Sequence, residues 1–193
     1  MMHYLWTSLR MSILTLVLTG IVYPLVTTGL AQVLFPHQAN GSLVYARNVV
    51  RGSSLLGQTF SSPAYFHSRP SAAGNGYDPL ASGGSNLGPT SKALVDRIRS
   101  AVAQTRRDIP GLRDVPVDMV TTSGSGLDPD ITPATAFAQL PRIARARGIL
   151  EETVHTLVVS NITDRQFGIL GEPRVNVLQL NMLLDRLYGT PIR

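Results

Sequence analysis

Residues 11–35, MSILTLVLTGIVYPLVTTGLAQVLF, carry no charged side chain. As an α-helix rising about 1.5 Å per residue, they exceed the roughly 30 Å hydrocarbon layer of a bilayer. Thirteen of them are Ile, Leu, Val or Phe, contributing roughly −4 to −8 kcal/mol toward insertion. Apolar residues cover every face, unlike the single stripe of a helix packed on a soluble core. The run is also longer than the apolar region of a cleavable secretory signal, although Gly29-Leu30-Ala31 has the small residues of a cleavage site. The sequence therefore predicts a head at 1–10, a transmembrane helix at 11–35 and an extramembrane domain at 36–193.

Within the span, Thr15, Thr19, Tyr23, Thr27 and Ala31 recur every fourth residue. Such a stripe either receives a partner helix or bonds its hydroxyls to its own backbone one turn back. Pro24 in mid-span is tolerated where Ser/Thr side chains or neighbouring helices satisfy the freed carbonyl.

The chain has 193 residues, no cysteine, one lysine (Lys92) and a net charge of +5. Thiolate chemistry, disulfides and Cys-based zinc sites are excluded. The basic balance suits anionic lipid or acidic partner surfaces. The arginines are scattered and no aromatic-rich basic face accompanies them, so nucleic acid is not expected as a partner. Arg10 flanks the span on one side, with Arg47 and Arg51 on the other. The positive-inside rule therefore assigns no orientation.

Beyond the span, residues 54–60 (SLLGQTF) read as a short strand. Residues 61–91 are dense in Gly, Pro, Ser and Asn, yet contain Tyr65, Phe66 and Tyr77. That combination predicts an ordered surface loop pinned by its rings, and long ordered loops are often functional. A helix starts at Pro89 or Thr90, shows a Leu94, Ile98, Val102 stripe and stops at Ile109-Pro110-Gly111. Residues 115–122 have β-type composition. Thr132 and Pro133 open a second helix that Gly148 closes, with a kink or break expected at Pro141. A third helix covers 150–159, residues 167–169 are extended, and Asn176 caps a last helix striped by Val177, Leu180, Leu184 and Leu187. The fold class is α+β: one N-terminal transmembrane helix, then a mostly helical extramembrane domain with short strands.

Gly83–Lys92 lacks the lysine directly after the second glycine that a phosphate loop requires. Ser123-Gly124-Ser125-Gly126 is off register for a nucleophile elbow, although a membrane-anchored envelope hydrolase using Ser or Asp residues of 121–130 is the alternative function. Asp118, Asp128 and Asp130 lack the central glycine and downstream glutamate of a calcium loop, and read as turn and cap residues. Gln139, Arg142, Arg145 and Arg147 offer amide and guanidinium groups on the second helix. Such groups bind phosphate or carboxylate, or simply form a solvated basic face near a helix C-terminus.

The ordered blocks then become specific. Tyr23-Pro24, Gly57-Gln58-Thr59-Phe60, residues 65–71 (YFHSRPS), Tyr77-Asp78-Pro79, residues 82–90 (SGGSNLGPT), residues 122–129 (TSGSGLDP) and residues 171–177 (GEPRVNV) follow one another as in one family. In these blocks the chain resembles the C subunit of the Kdp-type potassium-transporting ATPase over nearly its whole length. The resemblance implies an accessory subunit without a catalytic site of its own, in a bacterial high-affinity potassium pump of the plasma membrane. It implies a cytoplasmic N-terminus, a single pass and a domain outside. The implied partners are a channel-like potassium-binding subunit, a P-type ATPase subunit, a small hydrophobic subunit and membrane lipids. The family is described as a catalytic chaperone that raises ATP affinity, with a Gln-x-x-Arg nucleotide contact, here Gln139 and Arg142. ATP is thus implied for the complex, and no metal.

Overall fold

A computed structural model describes residues 2–46 and 48–191; Arg47, one of the flanking charges, lies outside the described residues. The chain divides between Leu43 and Val44 into two compact units.

The first unit is dominated by one apolar helix of 33 residues, Met2–Leu34, about 50 Å long. It comprises α1 (Met2–Val17), a π-helical turn (Leu18–Val22) and α2 (Tyr23–Leu34). The helix starts nine residues before the uncharged run at 11–35, because Met2, Leu5, Leu9 and Arg10 favour helix and no Gly or Pro interrupts residues 2–10. Arg10 lies over the Trp6 ring, 5.1 Å from its centroid. The π turn has a chemical cause. Proline has no amide hydrogen and its ring collides with the carbonyl four residues back. One extra residue in the turn before Pro24 relieves that collision, and the Tyr23 amide bonds Leu18 five residues back. The hydroxyls of Thr19 and Thr27 donate to the carbonyls of Thr15 and Tyr23, each at 2.8 Å. These two members of the stripe therefore bond their own helix. A short α3 (Pro36–Ala39) and the Asn40-Gly41 turn follow.

Strand β1 (Leu43–Ala46) starts at the last residue of the first unit and pairs with β2 (Val49–Ser53) in a two-stranded sheet. The strand expected at 54–60 is absent: the chain turns at Ser53, whose hydroxyl accepts the Leu55 amide at 3.1 Å. Helix α4 (Lys92–Asp108) forms where its stripe predicts, but carries no fully buried residue. The β-type run at 115–122 instead forms a 3-10 turn at Val117–Met119, bracketed by Pro116. Residues 167–169 form the tip of a turn closed by the Gln166–Leu170 bridge.

The core lies among α5 (Pro133–Arg147), α6 (Glu151–Ser160) and α7 (Val177–Tyr188), with β3 (Asp130–Ile131) antiparallel to β4 (Val175–Asn176). Ala136, Leu140, Ile143 and Ala144 of α5 meet Val154, Leu157 and Val158 of α6 and Leu180 and Leu184 of α7. Helix α5 passes Pro141 without a break, because residues 140, 143 and 144 are held in the core on either side. Its start is capped by Thr132, whose hydroxyl accepts the Thr135 amide at 3.1 Å, and its end by Gly148 at φ +66°.

Candidate functional site

The 61–91 loop has little regular secondary structure, yet Phe66 is fully buried in the core and Ala73 is also inaccessible. A buried strand without a sheet must find partners for its peptide groups, and here side chains provide them. Asn181 of α7 accepts the Phe66 amide at 2.8 Å and donates to the Phe66 carbonyl at 2.9 Å. Gln139 of α5 does the same for His67, at 2.8 and 3.1 Å. Each buried amide copies one rung of a β ladder.

Two guanidinium groups take the carbonyls before these. Arg142 donates to Pro63 at 2.6 Å, to Tyr65 at 3.0 Å and to the Gln139 side chain at 2.7 Å. Arg147 donates to Ala64 at 2.7 Å and pairs with Asp185 at 2.8 Å. Asp185 also accepts the Tyr65 hydroxyl at 2.8 Å, and the Arg147 guanidinium lies over the Tyr65 ring. Five successive carbonyls, 63 to 67, are therefore each held by a side chain of α5 or α7.

Burial governs the charges here. The His67 imidazole is held below its ordinary value, first by burial and then by the Arg142 guanidinium. Its Nε2 lies 3.0 Å from the Ser62 carbonyl and 3.4 Å from Arg142. Burial lowers Arg142 to about 10, opposed by Asp108, and it stays charged at neutral pH. A cleft of about 190 Å³ adjoins the clamp, lined among others by His67, Thr105, Asp108, Thr135, Gln139 and Arg142.

The later part of the loop is tied to the 121–130 segment. The Ser71 hydroxyl donates to the Gly126 carbonyl at 2.7 Å and accepts the Tyr77 amide at 2.8 Å. The Gly83 amide donates to Ser125 at 2.8 Å, and Tyr77 donates to the Arg69 carbonyl. At Gly126, φ is +68° and a Cβ would lie 2.7 Å from both the Ala73 nitrogen and the Gly83 oxygen, so only glycine fits.

The structure brings Gln139 and Arg142 together, three residues apart on one continuous helix. Arg145 is exposed, in keeping with a solvated basic face. Arg147 is not part of that face, since its side chain is 3% exposed. The hydroxyls of Ser123 and Ser125 accept the amides of Gly126 and Leu127, capping their own turn. Asp118 receives Thr132 and Thr135 at the start of α5, Asp128 pairs with Arg69, and Asp130 with Arg174. The three aspartates serve three different partners. Among the described residues no cluster of three His, Asp or Glu side chains is placed to hold a metal ion. Sequence reasoning missed Asn181, whose signal was a polar residue inside the apolar stripe of α7.

Among the described residues one apolar helix is long enough to span a bilayer, and it precedes an α+β domain built around a side-chain-clamped loop, which is the build of a single-pass anchored membrane protein. The family model described as "KdpC: K+-transporting ATPase, c chain" matches residues 5–186, and so includes all but the first three residues of the apolar helix. The potassium-transporting ATPase KdpC subunit of Acidobacterium capsulatum is 54% identical, over 97% of this chain and 100% of that protein. That of Koribacter versatilis is 54% identical over 96% of this chain and 95% of its own length. The Myxococcus xanthus KdpC subunit is 55% identical over 95% of this chain and 88% of its own. The chain belongs to the KdpC family.

Proposed function

We propose that this chain is an accessory subunit of an ATP-driven potassium uptake pump, without a catalytic site of its own. Its N-terminus is cytoplasmic and its domain faces outward. There it docks on the outer mouth of the channel-like subunit and stabilises the assembly with the P-type ATPase subunit and the small hydrophobic subunit. The family membership supports the pump reading. The observation that carries the docking is the clamped loop, because a loop fixed before binding loses little freedom when a partner arrives. At its far end Asp78 caps the 3-10 turn Pro79–Ala81, presenting Leu80 at 96% exposure. Burying so exposed a leucine against a partner contributes about 1.5–3 kcal/mol.

Gln139 and Arg142, the residues of the expected ATP contact, act instead as a loop clamp. Gln139 is 1% exposed, and the donors and acceptor named above are committed to residues 63–67. The adjoining cleft, about 190 Å³, is below the roughly 300–1,000 Å³ of small-molecule sites, and Asp108 on its wall opposes a polyphosphate. A nucleoside triphosphate does not fit these residues, and any effect on ATP affinity runs through the partner subunits.

Purification of the tagged full chain in mild detergent tests both points. The large membrane subunits co-purify with the wild type, and Leu80→Glu lowers their recovery severalfold. In assembled pumps, Gln139→Ala with Arg142→Ala leaves the apparent ATP affinity unchanged. A solitary chain, full recovery with Leu80→Glu, or a large fall in ATP affinity per assembled pump would each overturn the corresponding statement.

A further inference from the structure

The π turn leaves the Thr19 carbonyl of the span without a backbone donor in its own helix. In an α-helix the Thr19 carbonyl accepts from residue 23, and in a π-helix from residue 24. The Tyr23 amide is committed to Leu18, and Pro24 has no amide hydrogen. The neighbouring hydroxyls do not repair the loss, because Thr19 donates to Thr15 and Thr27 to Tyr23. In hydrocarbon a bare carbonyl is costly, so it is covered by another donor. The adjoining Gly20 leaves room for one: a Cβ built there meets only a Leu16 methyl, at 3.9 Å.

We propose that the π turn Leu18–Val22 is the docking point for a transmembrane helix of another pump subunit, which brings a side-chain O–H or N–H donor to the Thr19 carbonyl. The occupant is a donor-bearing helix because the turn offers an acceptor while its flanking threonine hydroxyls are already used. A second copy of this chain, which carries the Tyr23 hydroxyl beside the same acceptor, is the competing occupant that the test distinguishes, and an aliphatic helix or lipid tail has no donor to give. The inference rests on the pump-subunit reading above.

The test is recovery of the large membrane subunits with the tagged full chain in mild detergent. Pro24→Ala restores the amide and lets a regular α turn consume the carbonyl, without threatening helix formation. Gly20→Leu instead blocks close approach. Interhelical hydrogen bonds are weak enough that each variant is expected to speed dissociation by about three- to tenfold. As the chain has no cysteine, Gly20→Cys alone also reports self-association by oxidation in the membrane. Retention of Pro24→Ala and Gly20→Leu at the wild-type level, or a Gly20→Cys homodimer, overturns the proposal while leaving the pump reading intact. Failure of the wild type itself to co-purify overturns both.

Discussion

His67 holds the most exposed weakness of the clamp. Its imidazole faces the Ser62 carbonyl, the Arg142 guanidinium and the cleft wall carrying Asp108, and burial together with Arg142 depresses its basicity. The unfolded chain therefore takes up this proton first. The stability that neutral His67 contributes is complete above the unfolded value, about 6.5, and is lost as pH falls below it toward the lowered folded value. Denaturant unfolding of the full chain in detergent, followed from about pH 7.5 to 5.5, should show a smaller acid loss in His67→Gln than in the wild type. Equal slopes would remove His67 from the clamp's energetics. The Gln139–Arg142 pair was legible because three residues separate them on one helix. Its purpose was not, because nothing local in 63–67 marks a segment whose partners lie more than seventy residues away.

Element boundaries follow capping chemistry more faithfully than composition. Thr132-Pro133, Gly148 and Asn176 each placed a helix end correctly, since each acts through atoms within a few residues: the Asn176 side chain accepts the Gln179 amide at 3.1 Å. The run at 115–122 misled because β-type side chains fit any half-buried surface and Pro116 introduces a turn, and the strand expected at 54–60 gives way to the turn at Ser53. The break expected at Pro141 failed for a tertiary reason, the packing of both halves of α5 into one core. For α5, Thr132→Ala removes a cap that also donates to Asp118 at 3.2 Å. It should cost about 1–2 kcal/mol, read as a lowered denaturation midpoint of the full chain. A change within a few tenths would mean that Asp118 alone secures the helix start.

At the scale of the whole molecule, the apolar helix was legible because its composition answers to a solvent, although it begins at Met2 rather than Met11; its orientation was not legible, because arginines flank both sides. The outward placement of the domain has a direct check. With no native cysteine, Ala81→Cys in the exposed 3-10 turn should react with a membrane-impermeant maleimide on intact cells. Labelling only after lysis would invert the topology. The length of the Met2–Leu34 helix has a further result. A rod of about 50 Å threaded through a film of roughly 30 Å must surface or lean, and the Trp6–Arg10 pair is suited to the headgroup level. That pair works as a depth gauge, so moving it one turn along the rod would raise or sink everything the rod carries.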